Sequence, residues 1–491
     1  MRFILLPTTI LTLFLMNTEA QRIHRPEFST SIHVGIPKES GRGSYSIESQ
    51  SYTLSVTSRK NEKGHGLLMP ASVTGDFIVS GRIEPTSNGN AGFAIVDQQG
   101  ALKISGLRNE NGTVGFVDHA NQKIIRGTKS NYETLYLERT GERLILKASG
   151  KHEPLQTIGE WILKDLPKTC SVGLWLESSI ADTKAIFTNV RLDQPVPYDY
   201  NGEESGHLGS RLEVMDVRTG ERTIIFESSE RFEAPNFMPD GKSLLFNWNG
   251  LLYTIGIDGG EPQPFPTGFA NRNNNDHGIS FDGKLLALSH HREGLPGGGS
   301  TVYVMPLSGG EPKLVTELTP SYWHGWNPNN REVVYVAQRN GSSRYQLYKK
   351  DINGGPEVAL TNFDKGHVDG PEYSPDGAYI YYNGSQSGTM QLWRMDPLGQ
   401  NPEQLTFDEL NNWFPHLSPD GQWITYLAFP PDIHPDDHPA YKKVQLRLMP
   451  ATGGAPRVLA NLYGGQGTIN VPSWSPDNRF FAFVSNSSKK K

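Results

Sequence analysis

Imidazoles and carboxylates gather just ahead of a phrase that this chain repeats. Five residues before the Asp or Asn anchor of each copy stand Pro235, His277, His324, Pro371, Pro415 and Pro472. Histidine thus replaces proline in two adjacent copies. Close by lie Arg231, Glu233, Asp276, Trp323, His367, Asp369, Glu372, Trp413, Phe414 and His416. Neutral imidazoles beside carboxylates can hold a divalent ion, which makes His277, His324, His367 and His416 the candidate metal ligands. The same groups can move protons, because imidazole titrates near neutral pH. The candidate catalytic residues are therefore His277, His324, Asp369, Glu372 and Arg231. For an elimination, a base at this rim would take a proton next to a carboxylate while a metal or Arg231 neutralises the developing enolate. For a hydrolysis, Asp369 and Glu372 would supply the pair of carboxylates. Trp323, Trp413 and Phe414 offer flat apolar faces suited to a sugar ring. Asp276, Glu233, His291 and Arg292 complete the candidate substrate-binding set. The competing reading is that these groups bond one another and merely brace the scaffold.

The elements that position them follow from the phrase itself. Its copies are Phe237-Met238-Pro239-Asp240-Gly241, Ile279-Ser280-Phe281-Asp282-Gly283, Trp326-Asn327-Pro328-Asn329-Asn330, Tyr373-Ser374-Pro375-Asp376-Gly377, Leu417-Ser418-Pro419-Asp420-Gly421 and Trp474-Ser475-Pro476-Asp477-Asn478. The anchors are spaced by 42, 47, 47, 44 and 57 residues. A period in the forties, with apolar runs and a tight turn in each unit, predicts a β-propeller. The Pro-Asp-Gly turn joins strands one and two of a blade, and the Gly-Gly turns (259–260, 309–310, 354–355, 453–454) join strands three and four. Both turn sets lie on one face, so the residues that precede each phrase share the opposite, upper face. The 57-residue spacing reflects an insertion containing Pro430-Pro431-Asp432-Ile433-His434-Pro435-Asp436-Asp437-His438, which reads as a solvated loop.

The last copy leaves enough chain for only two strands, while a hairpin at 211–226 has no phrase of its own. Pairing the two completes a sixth blade and leaves no open edge in the ring. Upstream, residues 30–195 show short alternating strands such as Ala91-Gly92-Phe93-Ala94-Ile95-Val96 and predict a β-sandwich. Residues 196–209 form the linker and 210–487 the propeller. Residues 1–20 have the basic start, apolar stretch and small-residue end of a secretory signal, which predicts a periplasmic or secreted protein. The apolar stretch is too short for a membrane span. The single cysteine, Cys170, precludes an intramolecular disulfide. With 46 basic and 52 acidic residues and a net charge of −6, the chain lacks the basic footprint expected of a nucleic-acid partner.

The repeated phrase, the Gly-Gly turns and strands such as Gln391-Leu392-Trp393-Arg394-Met395 resemble the TolB-like propeller family over about residues 210–487. That family includes binding scaffolds, protease-gating propellers and some enzymes, so the resemblance implies fold more than function. Gly75-Asp76-Phe77, Val172-Gly173-Leu174-Trp175 and the closing Phe187-Thr188-Asn189-Val190-Arg191 resemble a concanavalin-type lectin/glucanase sandwich, without the catalytic carboxylate strand of its enzymatic members. The fold class expected is all-β: a concanavalin-like sandwich followed by a six-bladed propeller. Two functions fit. One is an exported carbohydrate-active protein that binds, or cleaves as a lyase or glycoside hydrolase, a poly- or oligosaccharide at the top of the channel. Oligogalacturonate lyases resemble it in carrying histidines and a divalent metal at that mouth. The other is a non-catalytic periplasmic scaffold that presents the propeller to a protein partner.

Overall fold

The computed structural model describes residues 28–487 except 35–40, 47–48, 50, 58–65, 85–88, 151–155, 165, 179–181, 194–208, 219, 221 and 296. The secretory signal and nearly all of the linker expected from the sequence lie outside the described residues. Among the described residues the regular structure is antiparallel strand, apart from one short 3-10 turn at Gly297–Gly299. No helix there is long and apolar enough to cross a membrane.

The N-terminal region forms two seven-stranded sheets. The central strands of one are Gly66–Thr74, Thr169–Ser178 and Gly89–Val96; those of the other are Thr134–Thr140, Phe77–Ile83 and Thr183–Asp193. Alternation along these strands sends Phe93, Ile95, Val172 and Leu174 from the first sheet against Phe77, Val79, Leu135, Leu137 and Phe187 from the second. All nine are essentially inaccessible to water, which gives this region a dry core of its own.

Five four-stranded blades follow, and their inner strands are Phe232–Phe237, Asn273–Ile279, Ser321–Trp326, Val368–Tyr373 and Asn411–Leu417. The sixth blade is built from both ends of the propeller. Gly209–Asp216 pairs with Arg222–Ser228 on one side and with Phe480–Ser487 on the other. The innermost strand of that blade is reduced to a bridge between Trp474 and Phe481.

The repeated phrase has a local physical role. In Ser374-Pro375-Asp376-Gly377 the Ser374 hydroxyl donates to Asp376 and accepts from the Tyr379 amide, and Asp376 accepts from the Ala378 amide. Ser418 with Asp420 and Ser475 with Asp477 repeat the arrangement. Two copies carry Asn where the others have left-handed Gly. Asn330 (φ 58°) and Asn478 (φ 60°) tolerate that conformation and use their side-chain oxygens to accept the amides of Asp282 and Asp420 in the neighbouring turns.

Sandwich and propeller are joined by buried charge. Glu213, fully enclosed in the sixth blade, accepts from Arg222 at 2.7 and 3.0 Å, from Arg191 at 3.1 Å and from the Ser485 hydroxyl at 2.5 Å. Arg191 belongs to the sandwich. Its neighbour Asn189, left-handed at φ 54°, accepts the Arg222 amide and donates to the Gly220 carbonyl. The polar residues of the Phe187–Arg191 motif are thus the clasp on the closing blade.

Candidate active site at the channel mouth

Each full blade breaks its inner strand at the same height. The pairing register with the second strand slips between Glu233 and Asn236, Asn273 and His277, Trp323 and Gly325, Asp369 and Glu372, and Trp413 and His416. Such bulges re-aim side chains at a barrel rim. Three rim residues are left-handed: Ala234 and Phe414 at φ 57° and Gly370 at φ 58°. For alanine and phenylalanine that conformation costs about 1–3 kcal/mol, and costs of this kind concentrate at functional sites. Gly370 meets the demand without strain, and its amide donates to the Asp369 carboxylate at 2.7 Å.

The bulges bring one acid–base cluster together from several blades. His324 Nε2 lies 2.9 Å from Asp369 Oδ1, and His367 Nε2 stands 3.7 Å from Asp369 Oδ2, beyond hydrogen-bond distance. Burial works against both charges of the His324–Asp369 pair, yet each charge holds the other. The pairing with His324 and the field of His367 keep the Asp369 carboxyl well below the usual carboxylate range, and Asp369 with Asp276 raises the His324 imidazole. Asp276 goes the opposite way. Burial, with the charges of Asp369 and Glu233, pushes its carboxyl up to about 7, against the pull of His324 and of a 2.8 Å hydrogen bond from Asn274. The mouth therefore drives the carboxyls of Asp276 and Asp369 in opposite directions, the division of labour that acid–base catalysis uses. Arg231 pairs with Glu233 at 2.8 Å on the blade-one side and stacks over the Tyr441 ring.

Other expected residues have different places. Glu372 accepts from His416 Nδ1 at 2.7 Å and from the Leu417 amide at 2.9 Å, while His416 Nε2 meets the Ile469 carbonyl. This pair braces blades four, five and six, while the Glu372 charge, like that of Asp276, still reaches His324. His277 is wholly buried. Its polar neighbours are the backbones of Asn275 and Leu245, and burial lowers its imidazole to about 4. It is a neutral interior ring, not a base at the mouth. Trp323 is also interior: its ring fills the space a Cβ on Gly278 would need, 2.0 Å away. His291 Nδ1 bonds the Gly298 carbonyl within its own loop, and the Arg292 amide bonds Gly299, so both residues serve that loop.

The expected four-histidine metal set does not assemble. Among the described residues there is no group of three or more His, Cys, Asp or Glu placed to hold a metal ion. His277 faces the interior, and both nitrogens of His416 are engaged.

Trp413 and Phe414 do reach the mouth, but neither presents an open face. His324 stacks near Phe414 at 6.4 Å between ring centroids and 19° between planes. Trp413 is 0% exposed because His438 covers it, ring on ring, at 4.2 Å and 27°. The insertion that carries His438 is thus no solvated loop at this residue. The field of Asp369, His367 and His324 reaches His438, and burial lowers its imidazole to about 4. Tyr322 and Tyr345 also feel Asp276 and Asp369, and burial raises both phenols. The 57-residue spacing was the sequence signal for His438; nothing in the repeat pointed to the two tyrosines.

Comparison with known proteins supports the fold assignment independently. Residues 300–491 match the family described as TolB beta propeller domain. An uncharacterised protein of Agrobacterium fabrum is 43% identical over 280 residues, covering 57% of this chain and 93% of that protein. The solved structure of a TolB-type protein from Agrobacterium tumefaciens is 42% identical, with a TM-score of 0.54, covering 57% of this chain and 99% of that one. An uncharacterised peptidase of Bacillus subtilis is 24% identical over 207 residues, 40% of this chain and 29% of the peptidase. With its six blades closed by strands from both ends, its repeated turn phrase and this kinship, the chain belongs to the TolB-like β-propeller family.

Proposed function

We propose that the upper mouth of the propeller binds a neutral, hydroxyl-rich ligand of the oligosaccharide class and performs acid–base chemistry on it. The observation that carries this reading is the opposed shift of Asp276 and Asp369, one carboxyl pushed up to about 7 and the other held well below the usual carboxylate range. In this reading Asp276 donates a proton to a leaving oxygen, and Asp369 with His324 accepts one or steadies developing positive charge. The mouth is close to neutral, since His324 balances Asp369 and Arg231 balances Glu233. A neutral sugar suits it better than a polyanion. No metal enters the reading, because the residues present do not form a ligand set. The sandwich, in its resemblance to lectin-type domains, would hold a longer glycan beside the propeller. In this reading the protein works outside the cytoplasm, in keeping with the signal-like composition of residues 1–20.

The test is calorimetric binding and turnover on a panel of neutral oligosaccharides and aryl glycosides. D276N and D369N should each lower turnover about 100-fold or more. Variants as active as the parent would remove the mouth from consideration. One observation favours the non-catalytic scaffold instead: the rings of Trp413 and Phe414 are covered. That reading predicts that no sugar on the panel binds, and that the propeller engages a protein partner.

A further inference from the structure

The insertion over residues 430–441 crosses the mouth as a strap. Its first anchor is Ile433, which is buried in the blade-five core and whose carbonyl accepts from Asn411 Nδ2 at 2.9 Å. Its last is Tyr441, beneath the Arg231 guanidinium. Between these ends the strap touches blade four through Asp436, which accepts from the Ser385 hydroxyl, and blade five through His438 on Trp413. His434, Asp436 and Asp437 are exposed, so little apolar surface holds this middle section down.

The polar groups beneath are unsatisfied. His438 Nδ1, His367 Nε2 and Trp413 Nε1 are all buried and lack a hydrogen-bond partner. Buried nitrogens left unpaired cost free energy and are uncommon in finished structures. Three of them around one covered aromatic face mark a place that an occupant would complete. The imidazole of His438 lies on Trp413 with the offset and near-parallel geometry that a flat ligand ring takes on an aromatic platform.

We propose that the strap is a self-occluding cover. His438 occupies the stacking position of the ligand on Trp413, and the strap swings outward about its anchors at Ile433 and Tyr441 to admit the ligand. The inference deepens the reading of the mouth as a sugar site and rests on it. Opening bares the Trp413 face and turns Trp413 Nε1, and the His367 Nε2 that rests 3.7 Å from Asp369, toward the incoming hydroxyls.

A disulfide clamp tests the cover without any sugar. In the full chain carrying S385C and D436C, whose wild-type side chains touch, oxidation pins the strap and dithiothreitol frees it. The native Cys170 is buried in the sandwich and does not interfere. The probe is diethyl pyrocarbonate, with carbethoxylation of each histidine followed by mass spectrometry at pH 8. Oxidation should slow labelling of His367 and His438 at least tenfold, reduction should restore it, and His291 on its own loop should be indifferent. Equal rates in the two states would overturn the proposal, as would a His367 that resists the reagent in both. D436A cuts the tie without adding a bond, so it should raise the same two rates above those of the parent. Unchanged rates in D436A would also overturn the cover. Failure of sugar binding alongside a working clamp would instead count against the proposed function alone.

Discussion

Glu213 at the seam and the Asp276 and Asp369 carboxyls of the mouth are all buried, yet they are held on opposite plans. At the seam between sandwich and propeller, Glu213 is surrounded by the guanidinium groups of Arg191 and Arg222 and by a serine hydroxyl. These partners overcome full burial and hold its carboxyl below the range in which carboxylates titrate. Arginine stays charged at any working pH, so Glu213 keeps its state, while burial raises the neighbouring Asp193 carboxyl against the pull of Arg211 and Arg222. At the mouth imidazoles join Arg231 as the cations, the Asp276 carboxyl titrates near neutral pH, and several buried nitrogens lack hydrogen-bond partners. Burial of charge is common to both; the difference is saturation. Glu213, saturated by permanent charges, holds structure, and the titratable pair of Asp276 and Asp369 is equipped to act.

The sharpest way to break the contrast is to remove the seam's anion. E213A leaves two buried guanidinium groups without their carboxylate and should cost about 3–5 kcal/mol, read as a lower urea midpoint. Loss of under 1 kcal/mol would mean that the seam is ornamental. Asp276 should respond to pH where Glu213 does not. The Asp276 carboxyl titrates near 7 in the folded state against 3.8 for an ordinary aspartate. The folded protein therefore keeps a proton that the unfolded chain has lost, and stability contributed by this group falls as pH rises from about 4 to 7. D276N removes that penalty. Its stability relative to the parent should rise by about 2–4 kcal/mol between pH 4 and pH 8, measured by denaturation at each pH. A flat difference would show that Asp276 is ionised throughout, like the seam carboxylate. The smallest effect is expected at His277, which looks like the mouth in sequence and is interior in structure. H277L should alter stability by no more than about 1.5 kcal/mol and leave turnover unchanged, because the ring lies in the interior against the Asn275 and Leu245 backbones. Loss of turnover in H277L would return His277 to the site.

The contrast between His277 and His324 also shows where sequence reading stops. The repeated phrase made the ring of blades legible, since four of its six copies carry the serine hydroxyl and the carboxylate that tie their own turn. Two missing strands at one end and an unassigned hairpin at the other made the closing blade legible too. Side-chain direction at the rim was another matter. Both histidines stand five residues before their anchors, yet blade three carries one extra residue in its bulge and blade two carries two. That difference sends His324 to Asp369 and His277 into the interior. A register slip depends on which backbone groups find partners across the sheet, and the residue types alone do not reveal it. The covering role of His438 was hidden for a related reason. Proline and aspartate describe a loop's taste for water, not what it crosses.

The closing blade carries a consequence for how the protein comes into being. Gly209–Asp216 must wait for Phe480–Ser487, a partner more than 260 residues downstream, before its inner edge is paired. During synthesis the other five blades emerge in the interval, and contacts at such sequence distance form late. Arg191 and Asn189 belong to the domain made first, and both already bind the waiting hairpin through Glu213, Arg222 and Gly220. The clasp therefore keeps an exposed strand edge moored to finished structure while the rest of the ring is still being made.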